Sequence, residues 1–171
     1  MTNWHHKSAT TLLDAMAHGE VSSAELVSYF QERYARTNPG VNAIVATNFE
    51  KAHALAAEAD TARARGESWG PLHGLPMTIK DALEVAGMPA VGGAPMWANH
   101  RPTRHADAVQ RIVDAGAIIF GKTNVPFLSG DLQTYNDVYG TTNNPWDLNC
   151  GPGGSSGGAA AALTAGLTPL E

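Results

Sequence analysis

The run Cys150-Gly-Pro-Gly-Gly-Ser155-Ser156-Gly-Gly158, followed at once by Ala159 to Ala162, constrains this chain more than any other stretch. Five glycines and a proline within nine residues allow backbone conformations closed to other residue types, and two serines stand at the centre of the bend. The alanines that follow are strong helix formers. A loop aimed into the amino end of a helix, with hydroxyls at its apex, can hold an anion, a phosphate or an acyl group in transit. The rest of the chain must choose among these.

With 171 residues, 43% of them apolar, the chain can build one domain with a core. A net charge of −5 with only 11 scattered Lys and Arg residues argues against a nucleic-acid or anionic-membrane surface, which needs clustered bases. The terminus Met1 to Lys7 has no apolar segment behind it to make a secretory signal, and no apolar run is long enough for a membrane span. A single cysteine, Cys150, rules out an internal disulfide, so a reducing, cytoplasmic setting is expected. Nothing around Cys150 marks it as a nucleophile.

Hydrophobic periodicity places a short helix over Ser8 to Gly19, with Leu12, Leu13 and Met16 on one face. A capping box at Ser22-Ser-Ala-Glu25 opens a second helix striped by Leu26, Tyr29, Phe30 and Tyr34, which Asn38-Pro39-Gly40 is expected to end. Val41 to Thr47 reads as a strand and Asn48 to Arg65 as an alanine-rich helix closed by Gly66. Residues 1 to 66 carry no reactive constellation and read as helical support. From Gly70 the character changes: turn residues crowd together, then a short apolar strand delivers Lys80 at its end, next to Asp81. A glycine and proline loop spans 87 to 95, and an amphipathic helix spans Thr103 to Asp114 through Ala108, Val109 and Ile112. Ala115 to Lys122 has the apolar pattern of a strand buried on both faces, completing an α/β unit. The polar run 123 to 149 either lines a pocket or satisfies itself in a long loop; periodicity does not choose. A small apolar helix over Gly157 to Ala165 suits burial against a sheet.

The chemistry narrows by elimination. The glycine loop lacks the Gly-Lys-Ser/Thr of a P-loop and the G-x-G-x-x-G of a dinucleotide site. The seven histidines are dispersed, without metal-ligand spacing, and no G-x-S-x-G elbow supports a Ser-His-Asp triad. A serine activated by lysine remains. Lys80 suits it, because a lysine in apolar surroundings loses its proton more readily and can then act as a base.

Three blocks carry a resemblance: GLPMTIKD (Gly74 to Asp81), GKTNVP (Gly121 to Pro126) and YGTTNNPWDLNCGPGGSSGGAAAALTAG (Tyr139 to Gly166). Together, in this order, they resemble the amidase signature family of amide hydrolases, over most of the chain from about Pro71. The resemblance implies an α/β fold in which helices cover a mixed β-sheet core behind an amino-terminal helical region, with residues 67 to 171 forming the first part of the catalytic core. It implies Lys80 as catalytic lysine and Ser155 as a bridging serine preceded by a cis peptide bond. Ser156 is then a nearby supporting hydroxyl, Gly153 and Gly154 support the bend, and Asp81 is a candidate to hold Lys80. No cofactor or metal is implied. The partner is a small-molecule amide, with homo-oligomerisation possible and neither nucleic acid nor membrane involved.

The sequence departs from the family in the nucleophile block, in length and, less, at Ala159, where the family often has serine or another residue, and at residues 125 to 127. The family's nucleophile lies in a D-x-G-G-S block expected just past Glu171, so the chain is expected to end inside one incomplete domain, to be inactive alone and to need the carboxyl-terminal portion as partner. The alternative is a catalytically dead remnant or binding module. Val125-Pro126-Phe127 also stands in place of an acidic pair, which weakens a third reading as the glutaminase component of a tRNA-dependent amidotransferase. A sheet cut after the last helix is expected to leave open edges and apolar surface, and so to associate.

Overall fold

A computed structural model describes residues 3 to 171. Helix α1 (Ala9–Ala17) starts where the Ser8 hydroxyl accepts the Thr11 N–H and buries Leu12, Ala15 and Met16. Helix α2 (Ser23–Val41) opens on the expected capping box, Ser22 and Glu25 exchanging hydrogen bonds. It does not stop at Asn38-Pro39-Gly40. Pro39 is exposed in the last turn, and the buried Asn38 side chain accepts the N–H groups of Ala43 and Ile44 while donating to the Ile44 carbonyl. The helix ends only where Asn42 turns left-handed (φ 52°). Strand β1 is therefore Ile44–Thr47, shorter than the sequence suggested.

Helix α3 (Phe49–Ala64), capped by Asn48, follows. Strand β2 (Pro76–Lys80) leads through a long loop to α4 (Asp107–Asp114), then to β3 (Ile118–Thr123). The expected start of α4 at Thr103 is four residues early. Ala106 is extended (ψ 150°), and its N–H is spent on the Glu84 carbonyl, which ties this segment to the loop after β2. Ala108 is exposed; Val109, Ile112 and Val113 carry the apolar face. Two short strands, β4 (Tyr135–Asn136) and β5 (Gly140–Thr141), pair antiparallel, and α5 (Gly157–Thr164) follows the glycine loop.

The main sheet is mixed, in the order β1-β3-β2, with β2 parallel and β1 antiparallel to the central β3. One face packs on α1, α2, α3 and α5 through Leu12, Phe30, Ile118, Phe120 and Ala162. Phe120 stacks between Phe30 and Phe49, with ring centroids 6.4 and 5.3 Å away. The other face, through Met77 and Ile79, packs on Val109 and on Val85 and Met88 of the loop. A register shift between Met77 and Thr78 leaves Phe120 as an extra residue in β3, so that Lys122 pairs with Ile79 and Thr123 with Lys80.

Candidate active site

Lys80 ends β2 on the face toward α5, and its Nζ donates to both loop hydroxyls, Ser155 Oγ at 3.1 Å and Ser156 Oγ at 2.9 Å. Residues 75 positions apart thus meet, as the sequence suggested. Burial holds the Lys80 ammonium below the ordinary lysine range, opposed by the Glu171 carboxyl nearby. Ser156, half of this pair of contacts, is exposed and stands at the start of α5 without capping it.

The bend is made by Gly153 and Gly154, both left-handed (φ 78° and 54°). Every peptide bond among the described residues is trans, so the cis bond implied before Ser155 is absent. Two consecutive left-handed glycines already turn the chain far enough to bring both hydroxyls to Lys80. The buried Thr134 hydroxyl braces the bend by donating to the carbonyls of Gly154 (2.8 Å) and Gly153 (3.3 Å), and Gly154 N–H donates to Leu132. Gly157 and Gly158 serve a different need, close approach. A Cβ on Gly157 would collide with the Thr134 hydroxyl, and one on Gly158 would lie 2.5 Å from the Asn124 nitrogen.

The polar run that the sequence left open largely satisfies itself. Asn124 Nδ2 donates to Thr142 Oγ1 (3.0 Å) and the Gly140 carbonyl (3.1 Å), while Asn136 Nδ2 donates to Asn124 Oδ1 (2.8 Å) and its own Oδ1 accepts from Val138 and Tyr139. This buried network is the wall against which α5 begins.

The Asp81 carboxylate makes no hydrogen bond or ion pair with Lys80. It is fully buried, and its Oδ2 accepts the N–H groups of Val91 (3.1 Å) and Gly92 (2.9 Å). Its partner is Lys122, which in the sequence marks only the end of an apolar strand. Lys122 is also fully buried, its Nζ 3.7 Å from Asp81 Oδ1, and burial pushes it down to about 8 despite that carboxylate. Burial also pushes Asp81 above the usual carboxylate range, against the pull of Lys122. The signal available was a lone lysine at the end of a strand whose pattern calls for burial on both faces.

A cavity of about 540 Å³ opens among the loops that leave the carboxyl ends of β2 and β3, lined in part by Ala82, Ala90, Trp97, Leu128 and Ser129. Leu128 and Ser129 are held left-handed there (φ 50° and 56°). Glu171 accepts from Thr123 Oγ1 at 2.5 Å, and burial raises its carboxyl above the usual range. Among the described residues no His, Cys, Asp and Glu side chains group as metal ligands, and no helix is long and apolar enough to cross a membrane.

A parallel strand pair that delivers a lysine to hydroxyls at a helix start belongs to the α/β class that builds its sites at strand carboxyl ends. The sequence profile of the Amidase family matches residues 25–171, and the chain belongs to that family. It is 42% identical over 168 residues to a protein named acylamidase from Rhodococcus erythropolis, covering 98% of this chain and 35% of that protein. It is 39% identical over 169 residues to a glutamyl-tRNA(Gln) amidotransferase component of Chloroflexus aurantiacus, covering 99% of this chain and 35% of that one. The solved structure of a bacterial aryl acylamidase of the amidase signature family superposes with a TM-score of 0.92 at 29% identity, covering 98% of this chain and 35% of that one. The chain thus spans about a third of the length of the relatives it matches.

Proposed function

We propose that this chain carries the lysine and bridging serine of an amide hydrolase that works by a Ser-Ser-Lys relay, within one incomplete domain spanning residues 1 to 171. The observation that carries the reading is the contact of Lys80 Nζ with Ser155 Oγ at 3.1 Å, made by a lysine that burial favours in its neutral form. Neutral Lys80 takes the Ser155 proton while Ser155 takes the proton of a nucleophilic serine, whose oxygen attacks the amide carbonyl. The proton returns along the same path to the leaving amine, and water then hydrolyses the ester. Ser156, hydrogen-bonded to the same Lys80 nitrogen, orients it. Gly153 and Gly154 shape the bend. The nucleophile is not among these 171 residues, so the chain alone is inactive.

The test mixes the purified chain with a separately made carboxyl-terminal portion of a related amidase. No release of ammonia or amine by the chain alone, and release by the mixture that Lys80→Ala and Ser155→Ala each abolish, is the expected result. Hydrolysis by the chain alone overturns the dependence, and continued silence of the mixture supports the remnant or binding-module reading. The likeness to an amidotransferase component supports a second reading as the glutaminase part of a multisubunit amidotransferase; co-purification with the other components is its sign.

A further inference from the structure

We propose that Lys122 and Asp81 form a buried clamp behind the sheet that holds Lys80 in place against Ser155 and Ser156, making both of them positioning residues of the relay. The inference rests on the relay reading above. Lys122 uses its ammonium donors on the loop that leaves Lys80: it donates to the carbonyls of Leu83 (2.7 Å) and Pro89 (2.9 Å), and lies 3.4 Å from the Asp81 carbonyl. Asp81 N–H continues the ladder to the Thr123 carbonyl, and its carboxylate gathers the N–H groups of Val91 and Gly92. The residue directly after Lys80 is therefore fixed from three directions.

The register explains how this is done without touching the relay. Paired residues of a parallel ladder share a face, so Lys122 lies with Ile79 and Thr123 with Lys80. The extra residue in β3 sets this assignment; without it, Lys122 would stand on the relay face. Packing alone does not account for a lysine here. An apolar side chain of similar length fills the same space without the cost of desolvating an ammonium, and such replacements of buried ion pairs are often neutral or stabilising. What an apolar residue lacks is donors to the Leu83 and Pro89 carbonyls, which tie two points of one loop to β3.

The test is a pH titration, by NMR of side-chain-labelled lysine, of the 171-residue chain and two variants, with the Lys80 signal assigned through Lys80→Arg. The groups facing Lys80 on its own side, Glu171, Ser155 and Ser156, are the same throughout. In the unsubstituted chain the Lys80 midpoint is expected below the ordinary lysine value of 10.5, because burial disfavours its ammonium; a midpoint at that ordinary value overturns the relay reading itself. Lys122→Met and Asp81→Asn are each expected to move the midpoint upward, by about half a pH unit or more, as a loosened Lys80 regains water. The pair separates position from charge, because loss of the Asp81 charge acting through space alone moves Lys80 downward. An unchanged midpoint in folded Lys122→Met, or opposite shifts in the two variants, overturns the clamp. Should either variant fail to fold, amide exchange in the unsubstituted chain stands in: Val91 and Gly92 N–H must be protected, and exchange at open-loop rates overturns the clamp.

Discussion

At the scale of single residues, the glycines around the two serines do two separate jobs. Gly153 and Gly154 provide left-handed backbone, whereas Gly158 provides close approach, since a Cβ there would run into the Asn124 backbone. Gly158→Ala is expected to lower stability by about 1 to 3 kcal/mol, the usual cost of overpacking a rigid site, measured by urea denaturation. An unchanged midpoint would show that α5 can shift away from the Asn124 wall. Lys80 sets a second expectation. Its pKa is held down by burial and pushed up by Glu171, so the activity of the reconstituted protein should rise with pH as Lys80 loses its proton and level off below 10.5. Removing the opposing carboxyl with Glu171→Gln lowers the Lys80 pKa further and moves this limb to more acid pH. A limb that stays put, or moves to alkaline pH, separates Glu171 from the relay base.

At the scale of elements, the join between α2 and β1 shows how one side chain overrides local rules. Asn38-Pro39-Gly40 reads as a stop, because proline removes a helical N–H and glycine weakens the helix. In the fold, Asn38 is buried and bonds three backbone groups of Ala43 and Ile44, which carries the helix past Pro39 and aims the chain into the sheet. Asn38→Ala leaves those groups unpaired and is expected to cost about 2 to 3 kcal/mol, read from thermal or urea unfolding. A loss no larger than that of an exposed Asn→Ala change sinks this account. By contrast, the capping box at Ser22, the helices starting near Ser8 and Asn48 and the strands ending at Lys80 and Thr123 followed from the sequence within a few residues. These features are local, so neighbours in sequence are enough to specify them.

At the scale of the whole molecule, the surface carries several large, highly exposed apolar side chains. Trp146 is 87% exposed, Leu132 81% and Met96 68%. The outer edge of β2 is partly covered by the Leu170 carbonyl, which accepts from Thr78 N–H at 3.3 Å, so it is the exposed side chains that favour association. The 171-residue chain alone is therefore expected to self-associate, with an apparent mass in light scattering that rises with concentration. A monomer with a sharp thermal transition over the same range would contradict this expectation. Trp146→Ser with Leu132→Ser should reduce the association if these side chains drive it.

Much of the candidate site was legible in the chain because its chemistry is written in short blocks. A lysine ending an apolar strand and two serines inside a glycine bend made Lys80 and the Ser155-Ser156 pair candidates, and the three blocks marked the family, whose resemblance alone singles out Ser155 as the bridging serine. The family, the capping box at Ser22 and the α/β alternation were legible in the order of residues, since each depends on neighbours close together along the chain. Only the tertiary structure decided that Ser156 reaches Lys80 as well, that the bend is made with trans peptides, and that Asp81 turns away from Lys80 to meet Lys122. The physical reason is register: one extra residue in β3 assigns side chains to faces, and no pattern within β2 or β3 alone records how the two strands are aligned.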